Sequence, residues 1–444
     1  MGISNFPAAL QPIIQQGFLA REFEEGLRST LVFREIADRE PFLNKIGETI
    51  TKTRAGLKAP VETDMDPTTN TNLDNGLTPT GWGVEQYQLT IGMMADTIDL
   101  NMVTQNIGIA KQFLRNARVN GIQGMQSVER KARKALYGAY LGGNTRVTTA
   151  LVAPAATVYV DDIRGFLTVF SNGVQVPVSS AHKMVCNVNG NAYNLQGATA
   201  DVTNISTAPN GISGTLTFDS NVLVADGGLN SPVVSSVAPL IVRPNGKTNT
   251  ADLVTGTDLL RYQDLLNTVG YLRDNGVPGI GEEFATGQGV FNCYLDNTHL
   301  LSLFKDQQFQ YLYRGNPNDD AQKKAVLQDL LGLSFKPTTE APQQTLNGTK
   351  IKRAIVCGQG ALVEGDFEST GYSDSYGEKA LVEVVDGIAM VTREPLDRLA
   401  QIIAQSWYFI GGFAVPSDIT ANSQIIPTAG NSYFKRAVVL ETAA

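Results

Sequence analysis

The residues best suited to hold a metal or to act as nucleophiles are few. The chain has two histidines, His182 and His299, and three cysteines, Cys186, Cys293 and Cys357. His182 and Cys186 are four apart. In the strand pattern around them that spacing puts both on one side at about 13 Å, too far for one ion. His299 opens a short helix, where it is expected to cap the helix or lie at the surface. The cysteines are odd in number and far apart, so they read as reduced, buried thiols rather than a disulfide or zinc framework. Neighbouring acids occur at Asp64/Asp66, Asp161/Asp162, Glu282/Glu283 and Asp319/Asp320. Such pairs are expected in solvated turns, with a calcium or magnesium site near Asp64/Asp66 as the alternative. General acid–base work needs carboxylates that converge from different segments.

No G-x-x-x-x-G-K followed by Ser or Thr, no H-E-x-x-H and no G-x-S-x-G occurs. Gly279 and Gly281 form half of a dinucleotide fingerprint, but no strand precedes them and no further helix-opening Gly follows, so they read as a loop. The sequence therefore assigns no catalytic residue, no cofactor-binding residue and no metal ligand, and the chain is expected not to be an enzyme. A carbohydrate-active enzyme would need an aromatic-lined cleft. Trp82 and Trp407, the only tryptophans, fall in a loop and an apparent core strand.

The elements that carry these residues begin with one long helix. From Thr104 to Leu141, apolar or small residues recur every three or four positions: Ile107, Ala110, Leu114, Ala117, Gly121, Met125, Val128, Ala132, Ala135 and Ala139. That is helical periodicity. Lys111, Arg115, Arg118, Arg130, Lys131 and Lys134 make the wet face. Thr104 or Asn101 offers a cap at the start and Gly142 one at the end. The predicted helix is about 55 Å long. Gly121 and Gly124 each cost about 1 kcal/mol relative to Ala, so they are expected where another backbone comes close or where the helix bends. Arg130, Lys131, Arg133 and Lys134 either face DNA or form a solvated face paired with acids.

Residues 1–45 read as an arm with one or two short helices. Residues 46–100 read as a long hairpin, with one strand over Val84 to Met93 and another near IGETITKTRAG. Between them lie about 24 residues rich in Pro, Thr, Asn, Asp and Gly, a length usually functional or disordered. A polar hairpin alone buries too little to be stable, so a neighbouring subunit is its expected support, with its own body as the alternative. Residues 151–250 consist of short apolar runs punctuated by Asn-Gly and Asp-Gly pairs, an inserted all-β sandwich or barrel at 155–246. From Thr257 the pattern is α/β. It comprises a helix capped by Thr257 or Asp258 and stopped at Gly276, a strand at 290–295, and helices at 298–304, 307–313 and 319–331. Strands follow at 351–357 and 380–393, the latter with a turn at Asp386-Gly387. An apolar core strand lies after Pro395, and a final strand ends in a loose tail.

Length allows two or three domains among 444 residues. Hydrophobic residues make up 42% and charged residues 18%, a globular balance. No apolar run approaches a membrane span. The start has no secretory pattern, and Phe6 stands where myristoylation needs Ser or Thr; the reduced thiols fit synthesis in the cytoplasm. The net charge of −8 argues against a protein built to grip nucleic acid.

The order of parts resembles the major capsid proteins of tailed bacteriophages, the Hong Kong 97-type capsid fold, over nearly the whole chain. The residues that carry the resemblance are QYQLTIGMMADTIDL running into helix 104–141, VDDIRGFLTVFSNGVQVPV, and LLRYQDLLNTVGYLRDNGVP followed by VFNCYLDNTHLLSLFKD. It implies an α+β subunit with a long spine helix, an extended β-hairpin loop and an inserted small all-β domain. The implied parts are an N-terminal arm at 1–45, an extended loop with peripheral strands at 46–100, a spine helix at 101–150 and an insertion at 151–250. An axial domain at 251–394 and C-terminal strands with a tail at 395–444 complete it. The implied function is a shell of hexamers and pentamers around double-stranded DNA, with scaffolding, portal and decoration proteins as partners; a non-viral compartment shell of the same fold is the alternative. Some relatives cross-link a lysine of the extended loop to a distant asparagine. Lys52 and Lys58 lie in that region, with no partner matched to either. The charged N-terminal scaffolding segment of some relatives is not seen, which implies a separate scaffolding protein or a chain numbered after removal.

Overall fold

The structure, a computed structural model, describes residues 6, 10–15, 17–27, 32–42, 49–62, 81–101, 109–281, 289–314, 332–367, 380–393, 395, 398–399, 401–419 and 425–443. The chain divides into two compact units, one of 1–50, 88–135 and 362–414, the other of 51–87, 136–361 and 415–444.

The first unit is a six-stranded sheet backed by helices. Its spatial order is Ala37–Phe42, Leu362–Phe367, Ile402–Ala414, Ile388–Arg393 and Ala380–Val385, and Gly92–Asn101 also pairs with Ile402–Ala414. The apolar run after Pro395 is therefore a long central strand, as its composition predicts. The long helix runs over Ile109–Tyr140, 32 residues and about 48 Å; its expected start at 104–108 lies outside the described residues. Phe113, Ala117, Met125 and Val128 pack with Phe23, Ile403, Trp407 and Phe409 in one core. Gly124 meets a side chain rather than a backbone: a Cβ there would lie 3.2 Å from the Trp407 ring. Two buried amides fasten helix to strand, Asn120 Nδ2 to the Gln405 carbonyl at 2.9 Å and Gln405 Nε2 to the Phe113 carbonyl at 3.2 Å.

Thr49–Ala55 and Val84–Thr90 form a separate two-stranded ribbon. The second strand ends at Thr90, not at Met93. Tyr87, Leu89 and Ile91 are buried, but Met93 is 51% exposed. The chain breaks step at Ile91 and continues as Gly92–Asn101 in the six-stranded sheet. The close packing of Gly412 marks the break, since a Cβ there would lie 2.0 Å from the Thr90 carbonyl.

In the second unit, six antiparallel strands run in the order Asn144–Arg146, Pro232–Ser235, Met184–Val188, Asn191–Ala200, Gly214–Val222 and Ala155–Val160. A bridge from Val147 to Val160, with Thr148 N–H donating to the Tyr159 carbonyl at 2.9 Å, joins the first strand to the last. The sheet thus closes into a barrel, which removes its edges. Val158, Phe166, Cys186, Leu195, Leu216 and Phe218 fill it. The closing strand Asn144–Arg146 lies before the expected limits of the insertion.

The α/β part of this unit has a mixed sheet ordered Ile241–Val242, Ala437–Ala443, Thr349–Cys357, Phe291–Leu295 and Leu333–Pro337, with Gln343–Leu346 also on Thr349–Cys357. Helix Tyr262–Asp274 packs Leu265, Val269 and Leu272 on it. That helix starts after the expected cap. Asp258 is fully buried and instead binds the Val254 amide at 2.8 Å, while Gly276, with φ +64°, stops the helix as expected. The helix expected at 319–331 lies outside the described residues. Every residue of Ala437–Ala443 is buried in a strand, so these positions are not the expected loose tail. Two chain segments also group otherwise than their sequence order suggests: strands of 362–393 join the first sheet, and the last strand joins the second unit.

Candidate functional site

The sequence separates its acids from its histidines, but the fold brings one set together. Asp296 caps helix Asn297–Lys305 by accepting the His299 amide at 3.0 Å. The same oxygen lies 2.6 Å from His299 Nδ1, off the best hydrogen-bond line. His299 Nε2 is 2.9 Å from Thr442 Oγ1, and Lys352 binds Asp296 and Thr298. Burial opposes ionisation of Asp296, yet His299 and Lys352 hold its carboxyl below the usual range. Carboxylate, imidazole and hydroxyl in sequence have the connectivity of a nucleophilic triad. Access is missing, because His299 is 1% and Thr442 4% exposed and Thr442 sits inside a paired strand. The group ties helix, central strand and final strand together. His299 is thus neither a capping nor a surface residue. Its position three residues after Asp296 is the signal that was legible; Thr442, 143 positions away, was not.

A second cluster lies beside the barrel mouth. Asp162 holds Arg164 through both carboxylate oxygens, Nε at 3.0 and 2.9 Å and Nη2 at 2.6 Å. Asp161 accepts the Thr207 amide at 2.8 Å and lies 3.4 Å from Arg146. These adjacent acids are ion-paired and buried, not solvated. Close by, Glu441 accepts from Arg353 Nε and Arg243 Nε, each at 2.8 Å, and from Thr250 at 2.8 Å. Burial resists the Glu441 charge, but the two guanidiniums bring its carboxyl down to about 2. Sequence reasoning passed over Arg353 and Glu441. Their signal was a charge inside an otherwise apolar strand, in IKRAIVC and AVVLETA, which is rare unless paired.

A third cluster surrounds a cavity of about 210 Å³ at the end of the ribbon that leads into segment 59–83. Asp418 is 3.2 Å from Arg54 and 3.0 Å from Arg436. Glu85 accepts from Ser417 Oγ at 2.8 Å. Burial pushes the Asp418 carboxyl up to about 6; Arg54 opposes this and Glu85 adds to it. Gln86 N–H also donates to the Gly173 carbonyl at 3.1 Å. At these contacts the end of the ribbon that leads into segment 59–83 rests on its own chain.

Asp64, Asp66, Glu282, Glu283, Asp319 and Asp320 lie outside the described residues. His182 lies in an exposed turn before Met184–Val188 rather than in that strand, and Cys186 is buried in the barrel, its thiol pushed up to about 12 by burial. Ile280, between Gly279 and Gly281, forms an isolated bridge to Val290. On the long helix, Arg130 and Lys134 are exposed, while Lys131 is half-buried and donates to the Gly411 carbonyl at 2.8 Å. Lys58 is exposed and Lys52 half-buried. Among the described residues no group of three His, Cys, Asp or Glu side chains is placed to hold a metal ion, and no helix is long and apolar enough to cross a membrane.

No protein-family model matches the sequence, and no curated protein does. Among solved structures, the chain is similar to the capsid of Ralstonia phage GP4 at 10% identity and a TM-score of 0.48, covering 94% of this chain and 92% of that one. It is similar to the capsid of the cyanophage P-SCSP1u at 10% identity and a TM-score of 0.46, covering 94% and 89%. For the capsid asymmetric unit of cyanophage Pam1 the identity is 12%, the TM-score 0.43 and the coverage 95% and 92%.

Proposed function

We propose that this chain is the major structural subunit of an icosahedral phage shell, built from hexamers and pentamers around double-stranded DNA. The observation that carries the reading is the ribbon. No residue of Thr49–Ala55 is buried, and among the described residues its outer edge pairs with no strand. A two-stranded ribbon is marginal in water, and an open edge is a template for another chain. Between its strands runs the polar segment 59–83. Ordering such a segment costs about 1–2 kcal/mol per residue in backbone entropy. It locks when an acceptor surface on a neighbour is already placed, which suits the last step of assembly.

The same reading gives the other parts their roles in a Hong Kong 97-type fold. The helix Ile109–Tyr140 is the spine, and the first unit's sheet is the peripheral domain. The mixed sheet with helix Tyr262–Asp274 is the axial domain, and the barrel is the insertion. Interfaces of about 1,200–2,000 Å² then supply the association energy. A net charge of −8 suits a wall that encloses DNA without gripping its phosphates. No catalytic step belongs to this role. Scaffolding, portal and decoration proteins are its expected partners in the virion.

Negative-stain microscopy of the purified chain tests the proposal. Closed particles tens of nanometres across, or flat six-membered rings, support it. A persistent monomer at high concentration overturns it. Shells purified from their native source that enclose protein rather than DNA would replace the viral reading with that of a compartment.

A further inference from the structure

The arginine cluster beside the barrel mouth is not electrically closed. A cavity of about 40 Å³ is lined by Arg146, Arg164, Arg243 and Arg353 against Asp161, Asp162 and Glu441. Four guanidiniums thus face three carboxylates, and guanidinium stays protonated. Each carboxylate is already engaged: Asp162 by Arg164, Asp161 by Thr207 and Arg146, Glu441 by Arg353 and Arg243. None has charge to spare for a fourth cation. Two donors are left over, since Arg146 Nε and Arg353 Nη1 are buried and make no hydrogen bond. Arg353 is 3% exposed, and its Nη2 donates instead to the neutral Gln344 Oε1.

We propose that this cavity is a binding site for a halide-sized monovalent anion, held by Arg146 Nε and Arg353 Nη1. A buried donor left unpaired is costly, and a buried unpaired charge more so. A water molecule would satisfy the two N–H groups but leave the surplus charge in a low-dielectric site. An anion satisfies both. The volume exceeds the roughly 10–15 Å³ that one water needs and suits a single monatomic ion. The ion would join the barrel strand Asn144–Arg146 to the central strand Thr349–Cys357, both within the second unit.

The test uses the full chain and chloride or bromide as the probe. Unfolding is followed in sodium chloride and in sodium gluconate at equal ionic strength. For an affinity of tens of millimolar, 0.15 M chloride lowers the unfolding constant roughly five- to tenfold relative to gluconate, with saturation. Gln344→Glu places the missing negative charge beside Arg353, so it is expected to abolish the chloride effect. A bromide-soaked crystal is expected to show an anomalous peak between Arg146 and Arg353. Identical unfolding of the unmodified chain in the two salts, or water in place of bromide, overturns the proposal whatever the variant does.

Discussion

Arg34 and Glu364, 330 positions apart in sequence, form a buried bidentate pair. Arg34 Nε donates to the two carboxylate oxygens at 3.0 and 2.9 Å, and Nη2 donates at 2.7 Å. The guanidinium also lies 5.4 Å from the centre of the Phe409 ring. Glu129 of the long helix accepts the Phe33 and Arg34 amides at 2.6 and 3.3 Å. The segment after the N-terminal helices is thereby tied to helix and sheet within the first unit. Removing one partner strands the other charge. Glu364→Ala is expected to destabilise the first unit by about 3–5 kcal/mol, and Arg34→Met combined with Glu364→Leu to recover most of it. Denaturant unfolding of Glu364→Ala, of Arg34→Met and Glu364→Leu singly, and of the double variant checks this; additive losses of the two singles in the double variant would contradict it.

Gly124→Ala sets two effects against each other. Alanine improves helix propensity by about 1 kcal/mol, while overpacking costs about 1–3 kcal/mol. The added methyl would meet Trp407 at 3.2 Å. Trp407 is 3% exposed, and its Nε1 donates to Gln123 at 3.0 Å, so it has little room to yield. A net loss of about 1 kcal/mol is expected in thermal unfolding; a gain would mean that the indole shifts freely.

Glu441 sets an acid limit. In the folded chain its carboxyl lies at about 2, against 4.5 ordinarily. A lowered folded value stabilises the protein above the unfolded value, and that stability is lost as pH falls from about 4.5 toward 2. The loss is on the order of 3 kcal/mol. Glu441→Gln should be less stable at pH 7 and show a shallower acid loss over that window. An unchanged acid profile in the variant would assign the limit to other groups.

The closed barrel predicts how the insertion can be excised. A fragment of 143–237 contains all six strands and is expected to fold with a cooperative thermal transition. A fragment of 155–246 lacks Asn144–Arg146 and leaves Ala155–Val160 without its closing partner, so it is expected to be less stable or to associate through the open edges. Equal stability of the two would show that closure contributes nothing.

These elements were unequally legible in the sequence. Asn172-Gly173, Asn189-Gly190 and Asp386-Gly387 have left-handed φ at both residues, and each joins neighbouring strands. Such pairs suit the tight hairpin turn whatever surrounds them, so local chemistry announced them. The long helix was visible for the same reason, through a period repeated many times. Asn144–Arg146 is three residues long, too short for any alternation to register. Arg34 with Glu364, and His299 with Thr442, are products of topology, which one sequence does not expose. The break at Ile91 was hidden because Tyr87, Leu89, Ile91 and Met93 keep strict alternation while the chain changes sheets.

In the proposed shell the ribbon completes itself on another subunit. Cross-linking of assembled particles made from mixed isotopically light and heavy chains tests it directly, with a short amine-reactive reagent acting at Lys58. Lys58 cross-links of hybrid isotopic mass, formed only after assembly, are the expected result. Cross-links of unmixed mass alone, unchanged between free and assembled protein, would contradict it.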